Sequence, residues 1–115
     1  MTNRFRAAEL ADMLAQAKTA PDGYAPAVLK SELLSVGLYT LGVGAVDDQS
    51  PHLEDEVYYT VRGRATLFVE GHEHPVTPGT VLFVPARAEH HFHDIVEELV
   101  LIVFWAPPEK SVSRS

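Results

Sequence analysis

At 115 residues, with 46% apolar and 22% charged, the chain has the size and composition of one ordinary soluble domain. Its net charge of −7 argues against phosphate backbones and anionic membrane surfaces, so neither a nucleic-acid nor a membrane partner is expected. The absence of cysteine excludes disulfides, thiolate metal sites and cysteine nucleophiles, and it fits the cytoplasm.

Phe5 to Lys18 has helical spacing, with Phe5, Leu10, Met13 and Leu14 near one stripe. Arg4, Arg6, Glu9, Asp12 and Lys18 interrupt the continuous apolar core that a signal peptide requires. No stretch approaches the ~20 apolar residues of a membrane helix, and a cytoplasmic protein is expected. Pro21-Asp22-Gly23 ends the pattern with turn chemistry, so residues 1–30 read as a helical arm. From Ser31 the pattern changes: Leu33 to Leu41 is a strand-like run broken by Gly37. Val57–Arg62, Ala65–Glu70, Thr80–Val84 and Leu99–Trp105 follow as β-rich runs. Between them lie Arg62-Gly63-Arg64, the segment Glu70 to Pro75, and Thr77-Pro78-Gly79, all turn material. Short strands without intervening helices predict an all-β antiparallel sandwich or barrel over residues 31–106. Residues 107–115, polar and proline-led, read as a flexible tail.

All 6 histidines lie between residues 52 and 93, and neutral imidazole is the commonest metal ligand. His52 and Glu56 are the first pair to test. On a straight strand they would stand about 13 Å apart, too far for one ion whose ligands each sit ~2 Å from it. A shared site therefore requires a bend through Leu53-Glu54-Asp55, where acidic, non-β residues permit one.

Here the chain resembles the cupins, whose two short motifs can be laid on it. The first reads Gly44, five residues, Ser50-Pro51-His52, three residues, Glu56, six residues, Gly63; the second reads Gly79, five residues, Pro85-Ala86-Arg87, two residues, His90, three residues, Asp94. With flanking strands the resemblance covers about residues 33–106. It implies a double-stranded β-helix, the cupin jelly-roll barrel, preceded here by a short N-terminal α-helix. It also implies metal ligands at His52, Glu56 and His90. The chain departs from the motifs at Ser50 (usually histidine), Arg87 (usually glycine) and Asp94 (usually asparagine), so one imidazole of a four-ligand set is missing. Two histidines and a carboxylate with open positions suit iron(II), and also manganese, zinc, nickel or copper.

Residues sharing a strand face with a ligand are expected to wall the pocket: Tyr58 and Thr60 after Glu56, and Phe92 after His90. Ser50 and His93 are further pocket candidates. A Tyr58 hydroxyl near the metal would donate a hydrogen bond or proton to substrate; the alternative is a core tyrosine. His91 and His93 alternate with His90 and should face away from it, His93 entering the pocket only if the segment bulges. His72 and His74 read as surface residues of a hairpin tip. Phe68, Phe83, Phe104 and Trp105 read as core or subunit-interface residues. Asp47, Asp48, Glu54 and Asp55 read as a solvated acidic rim. The function expected is that of a metal-dependent enzyme, a dioxygenase-like oxidoreductase or an isomerase or lyase, acting on a small oxygenated molecule. A non-catalytic binding module and a metal-free structural cupin are the alternatives. A homodimer is expected, since exposed sheet edges call for cover.

Overall fold

The computed structural model describes residues 4–47, 49 and 51–109. Helix α1 (Leu10–Thr19) is followed by β1 (Tyr24–Lys30), β2 (Ser35–Leu41), β3 (Asp55–Val69), β4 (His72–Val76), β5 (Val81–Val84) and β6 (His90–Ala106). The sheet runs β1-β2-β6-β3-β4, with β5 on β3, and every pairing is antiparallel. The long strands β3 and β6 run alongside each other and change partners along their length. The first half of β3 holds β5 and the second half holds β4; the second half of β6 also holds β2. That exchange wraps the sheet into the jelly-roll barrel expected of the chain.

The wrap depends on a bulge in β3. From Glu56 to Thr60 the even-numbered residues are buried, whereas from Gly63 to Leu67 the odd-numbered ones are. An added residue reverses the side-chain alternation, as the register shifts between Thr60 and Thr66 record. Gly63 sits there at φ +105°, and a Cβ on it would stand 2.3 Å from the Glu98 carbonyl oxygen. Only glycine fits. The Arg62-Gly63-Arg64 segment is thus a bulge within one continuous strand, where the local composition suggests a turn.

Three other expectations are corrected. Residues 24–30 are a strand paired to β2 and do not belong to the helical arm. Residues 72–76 are a strand too, and the turn is confined to Glu70 and Gly71. The helix begins at Leu10 rather than Phe5, and Phe5 is 76% exposed.

The barrel interior is filled by Leu67, Leu99, Leu101, Val103, Phe92 and Trp105, among others. A second cluster lies outside, where Met13 and Ala17 of α1 pack with Ala25, Leu38 and Val100. Met13 and Ala17 are four apart, so one narrow helical stripe suffices to dock α1 on its own sheet. Phe68 is half-buried and stacks on His91 with centroids 4.9 Å apart. Phe83 and Phe104 are exposed and leave the core to Trp105.

Candidate metal centre

Glu56 is the second residue of β3 and His90 opens β6, while His52 precedes β3 on an irregular segment. The bend that the separation of His52 from Glu56 demands is present at Leu53 and Glu54, directly ahead of β3. It is tied to the turn after β5: Asp55 Oδ1 accepts the Ala86 N–H at 2.8 Å, and the His52 carbonyl accepts the Arg87 N–H. One side-chain tie and one backbone tie thus join the two motif segments. Arg87 adopts φ +69° and Asp94 φ +50°, so the backbone keeps left-handed conformations where the motifs have glycine and asparagine.

The ligand-type atoms of His52, Glu56 and His90 all lie within 4.8 Å of one another. Glu56 is 1% and His90 2% exposed. His90 Nδ1 lies 2.9 Å from the Ala88 carbonyl oxygen, which can only accept. Nδ1 therefore carries the proton of the neutral ring, and the Nε2 lone pair is turned toward Glu56. Nε2 stands 2.8 Å from Glu56 Oε1, but the two are not aligned as a hydrogen bond. His52 Nε2, His90 Nε2 and both Glu56 oxygens are buried without a hydrogen-bond partner. Orphaned polar atoms are rare in folded interiors, and four converging from three residues fit a divalent cation. Burial lowers the His52 pKa, which favours the neutral, ligating imidazole. At His90 burial also lowers the pKa, but the adjacent Glu56 carboxylate and the Ala88 carbonyl outweigh it and the net shift is upward.

Tyr58, Thr60 and Phe92 are fully buried on the inner face. The Tyr58 hydroxyl lies 3.3 Å from Gln49 Oε1, and its ring packs edge-on to Phe92 at 5.0 Å. Burial and the neighbouring Glu56 charge hold the Tyr58 pKa well above its ordinary value, so the phenol keeps its proton. Thr60 Oγ1 is buried without a partner. His93 is not in the pocket: it faces outward and pairs with Glu73 and Asp94. Ser50 lies outside the described residues, as does Asp48. His72 and His74 are exposed on β4, away from the three converging side chains.

Several residues of the pocket escape a local reading. Asp47 is 8% exposed, not part of a solvated rim: its carboxylate accepts the Phe92 N–H at 2.8 Å, Gln49 Nε2 at 2.7 Å and the Tyr39 hydroxyl at 3.3 Å. Glu54 is likewise buried, at 1%. A cavity of about 280 Å³ adjoins His52 and Tyr58, and Tyr24, Tyr39, Trp105, Gln49, Asp22 and Glu109 are among its other lining residues. Glu109 belongs to the segment that reads as a flexible tail, but it accepts the Tyr24 hydroxyl at 2.8 Å. The only sequence signal for this wall is the aromatic pair Tyr24 and Tyr39 on β1 and β2.

Barrel, bend and the three converging side chains define the class, and comparison with known proteins agrees. Residues 37–106 match the family model described as "Cupin domain", and the chain belongs to that family. It is 43% identical over 98 residues to an uncharacterised protein of Streptomyces coelicolor, covering 85% of this chain and 93% of the other. Among solved structures it resembles the protein TT1209 of Thermus thermophilus, at 30% identity and TM-score 0.63, covering 73% of this chain and 81% of that one. It also resembles an RmlC-like cupin of Shewanella frigidimarina, at 24% identity and TM-score 0.64, covering 70% and 71%; this last likeness speaks to fold alone. Among the described residues no helix is long and apolar enough to cross a membrane.

Proposed function

We propose that the protein is a metal-dependent cupin enzyme acting on a small oxygenated molecule, with one divalent transition metal (iron, manganese, zinc, nickel or copper) held by His52, Glu56 and His90. The observation that carries the proposal is the convergence of four buried, unpartnered ligand atoms from three residues whose ligand atoms lie within 4.8 Å. When bound, such a metal supplies a Lewis acid with open positions for a chelating substrate oxygen, and oxygen activation if it is iron. Everything else falls to the chain. His90 holds its ring in one tautomer through Ala88. Tyr58, protonated and beside Glu56, would turn the proton that its hydroxyl gives Gln49 Oε1 toward a substrate oxygen, as a hydrogen bond or a transferred proton. Asp47 positions Gln49, and Gln49 positions the Tyr58 hydroxyl. The aromatic walls exclude water and orient the substrate. A dioxygenase-like reaction and an isomerase or lyase reaction both use these parts.

Elemental analysis of tag-free protein tests the reading, comparing wild type with His52→Ala and His90→Ala. Near one equivalent of a transition metal, lost in both variants, is the expected outcome. Absence of metal after incubation with iron, manganese, nickel and zinc would remove the enzyme reading and leave a metal-free cupin. Metal without turnover on chelating substrates would leave a binding module.

The same proposal includes a cytoplasmic homodimer. Its support is an apolar strip on the outer face of β3, β5 and β6. There Tyr59, Val81, Phe83 and Phe104 are 42%, 63%, 61% and 39% exposed. Val57 pairs with both Phe83 and Phe104, and Tyr59 with Val81, so the strip is continuous across the sheet.

A further inference from the structure

The cavity beside the three ligands has a chemistry of its own. Tyr24, Tyr39, Tyr58 and Trp105 contribute aromatic surface to a space of about 280 Å³, small for a ligand pocket. The Tyr24 and Tyr39 rings meet at 72° with centroids 5.5 Å apart, forming a corner. Trp105 stands edge-on to His52 at 4.5 Å, which holds the indole between the corner and the ligand cluster. These rings are locked by hydrogen bonds. Trp105 Nε1–H donates to the Tyr24 oxygen at 3.0 Å, and the Tyr24 hydroxyl donates to Glu109 Oε1 at 2.8 Å. Burial, then the Glu109 charge, raises the Tyr24 pKa far above its ordinary value, so Tyr24 remains a neutral donor.

The charge around the cavity has a single sign. Asp22 and Glu109 reach its wall, and its described lining contains no lysine or arginine. A carboxylate or phosphate substrate would find no cation there apart from a bound metal. Four aromatic side chains line this one small space, and ring faces, which carry negative electrostatic potential, attract an organic cation. Carboxylates at the rim add to that attraction and repel anions.

We infer that this cavity is a subsite for a small organic cation, an alkylammonium group no larger than trimethylammonium, carried on the substrate's non-reacting end. The inference takes the cavity as the substrate subsite of the proposed metal enzyme and so rests on that reading for its role, though not for binding itself. Tyr24, Tyr39 and Trp105 form the cage, Glu109 supplies the counter-charge, and the opposite end of the substrate faces His52 and Tyr58. The subsite thereby sets both specificity and orientation.

Calorimetric titration tests this with tetramethylammonium, choline, the neutral choline isostere 3,3-dimethyl-1-butanol and the anion 3,3-dimethylbutyrate. Each is titrated into EDTA-stripped and zinc-reloaded full-length protein. Choline is expected to bind about tenfold or more tighter than the neutral isostere, with the anion weakest on stripped protein. Glu109→Gln should weaken choline several-fold and leave the isostere unchanged. Tyr39→Leu should weaken both cations, and circular dichroism checks that it folds. Equal binding of choline and its isostere overturns the inference, as does tighter binding of the anion, indifference to Glu109→Gln, or no binding of any probe. Cation preference without zinc uptake would uphold the subsite and overturn the metal reading; zinc uptake without cation preference would do the reverse.

Discussion

Glu56→Gln separates a metal ligand from a buried ion pair. Glu56 and His90 lie 2.8 Å apart with side chains 1% exposed, which is also how a structural salt bridge looks. The two readings predict opposite behaviour. If the pair is structural, breaking it leaves an uncompensated buried group and costs ~3–5 kcal/mol. If the carboxylate awaits a cation, the neutral isosteric amide relieves the metal-free protein of a buried charge, and stability holds or rises. Metal should then stabilise only the wild type. An ion at a hundred times its dissociation constant adds about 2.7 kcal/mol of stability. With ~2.1 cal/mol/K of unfolding entropy per residue, 115 residues give about 0.24 kcal/mol/K, so wild-type Tm should rise by about 11 °C. A variant whose affinity is ~100-fold weaker would gain only ~0.4 kcal/mol at the same ion concentration, a shift of about 2 °C. Scanning calorimetry of both proteins, with EDTA and with added zinc or manganese, reads all four values. A fall of more than about 12 °C in the metal-free variant, with no metal-dependent shift in the wild type, would refute the reasoning and make the pair structural.

Tyr58→Phe should keep its fold and metal content, because the ring contact with Phe92 survives, while kcat falls about 10²-fold or more if the hydroxyl transfers a proton. Steady-state rates and metal analysis check this, and an unchanged kcat would return Tyr58 to the core. At the surface, the hydrogen bond that His93 donates to the Glu73 carboxylate raises the His93 pKa above its ordinary value. The stabilisation is therefore full below the unfolded-state pKa near 6.5 and is lost as pH rises through the folded one, and the exposed site limits it to ~0.2–1 kcal/mol. Urea unfolding between pH 5.5 and 8.5 should lose this component in His93→Gln, and identical pH profiles would contradict it. Light scattering should find wild type dimeric and Phe83→Glu monomeric; a monomeric wild type would remove the dimer.

What could be read from the sequence was whatever depends on local spacing. His52, Glu56 and His90 stand at motif intervals, and the span of a straight strand between the first two demands the bend that the fold has at Leu53 and Glu54. What depends on partners distant in sequence could not be read. Gly63 between two arginines has turn composition, and only the β6 backbone lying against it makes it a bulge. His72 to Pro75 have poor strand propensity, yet β3 supplies the ladder that makes them a strand. Asp47 looks solvated until it is seen to bond the Phe92 N–H, 45 positions away. Glu109 was hidden the same way, since nothing in a proline-led polar segment announces a contact with Tyr24.

The placement of β6 bears on how the protein is made. It lies between β2 and β3 and supplies His90, yet it is synthesised after every other strand. Until it leaves the ribosome, β2 and β3 each present an open hydrogen-bonding edge, the feature that draws nascent chains into aggregates. His52, Glu56 and His90 come together only when the barrel closes, so a metal held by them would report completed folding and could not assist its early steps.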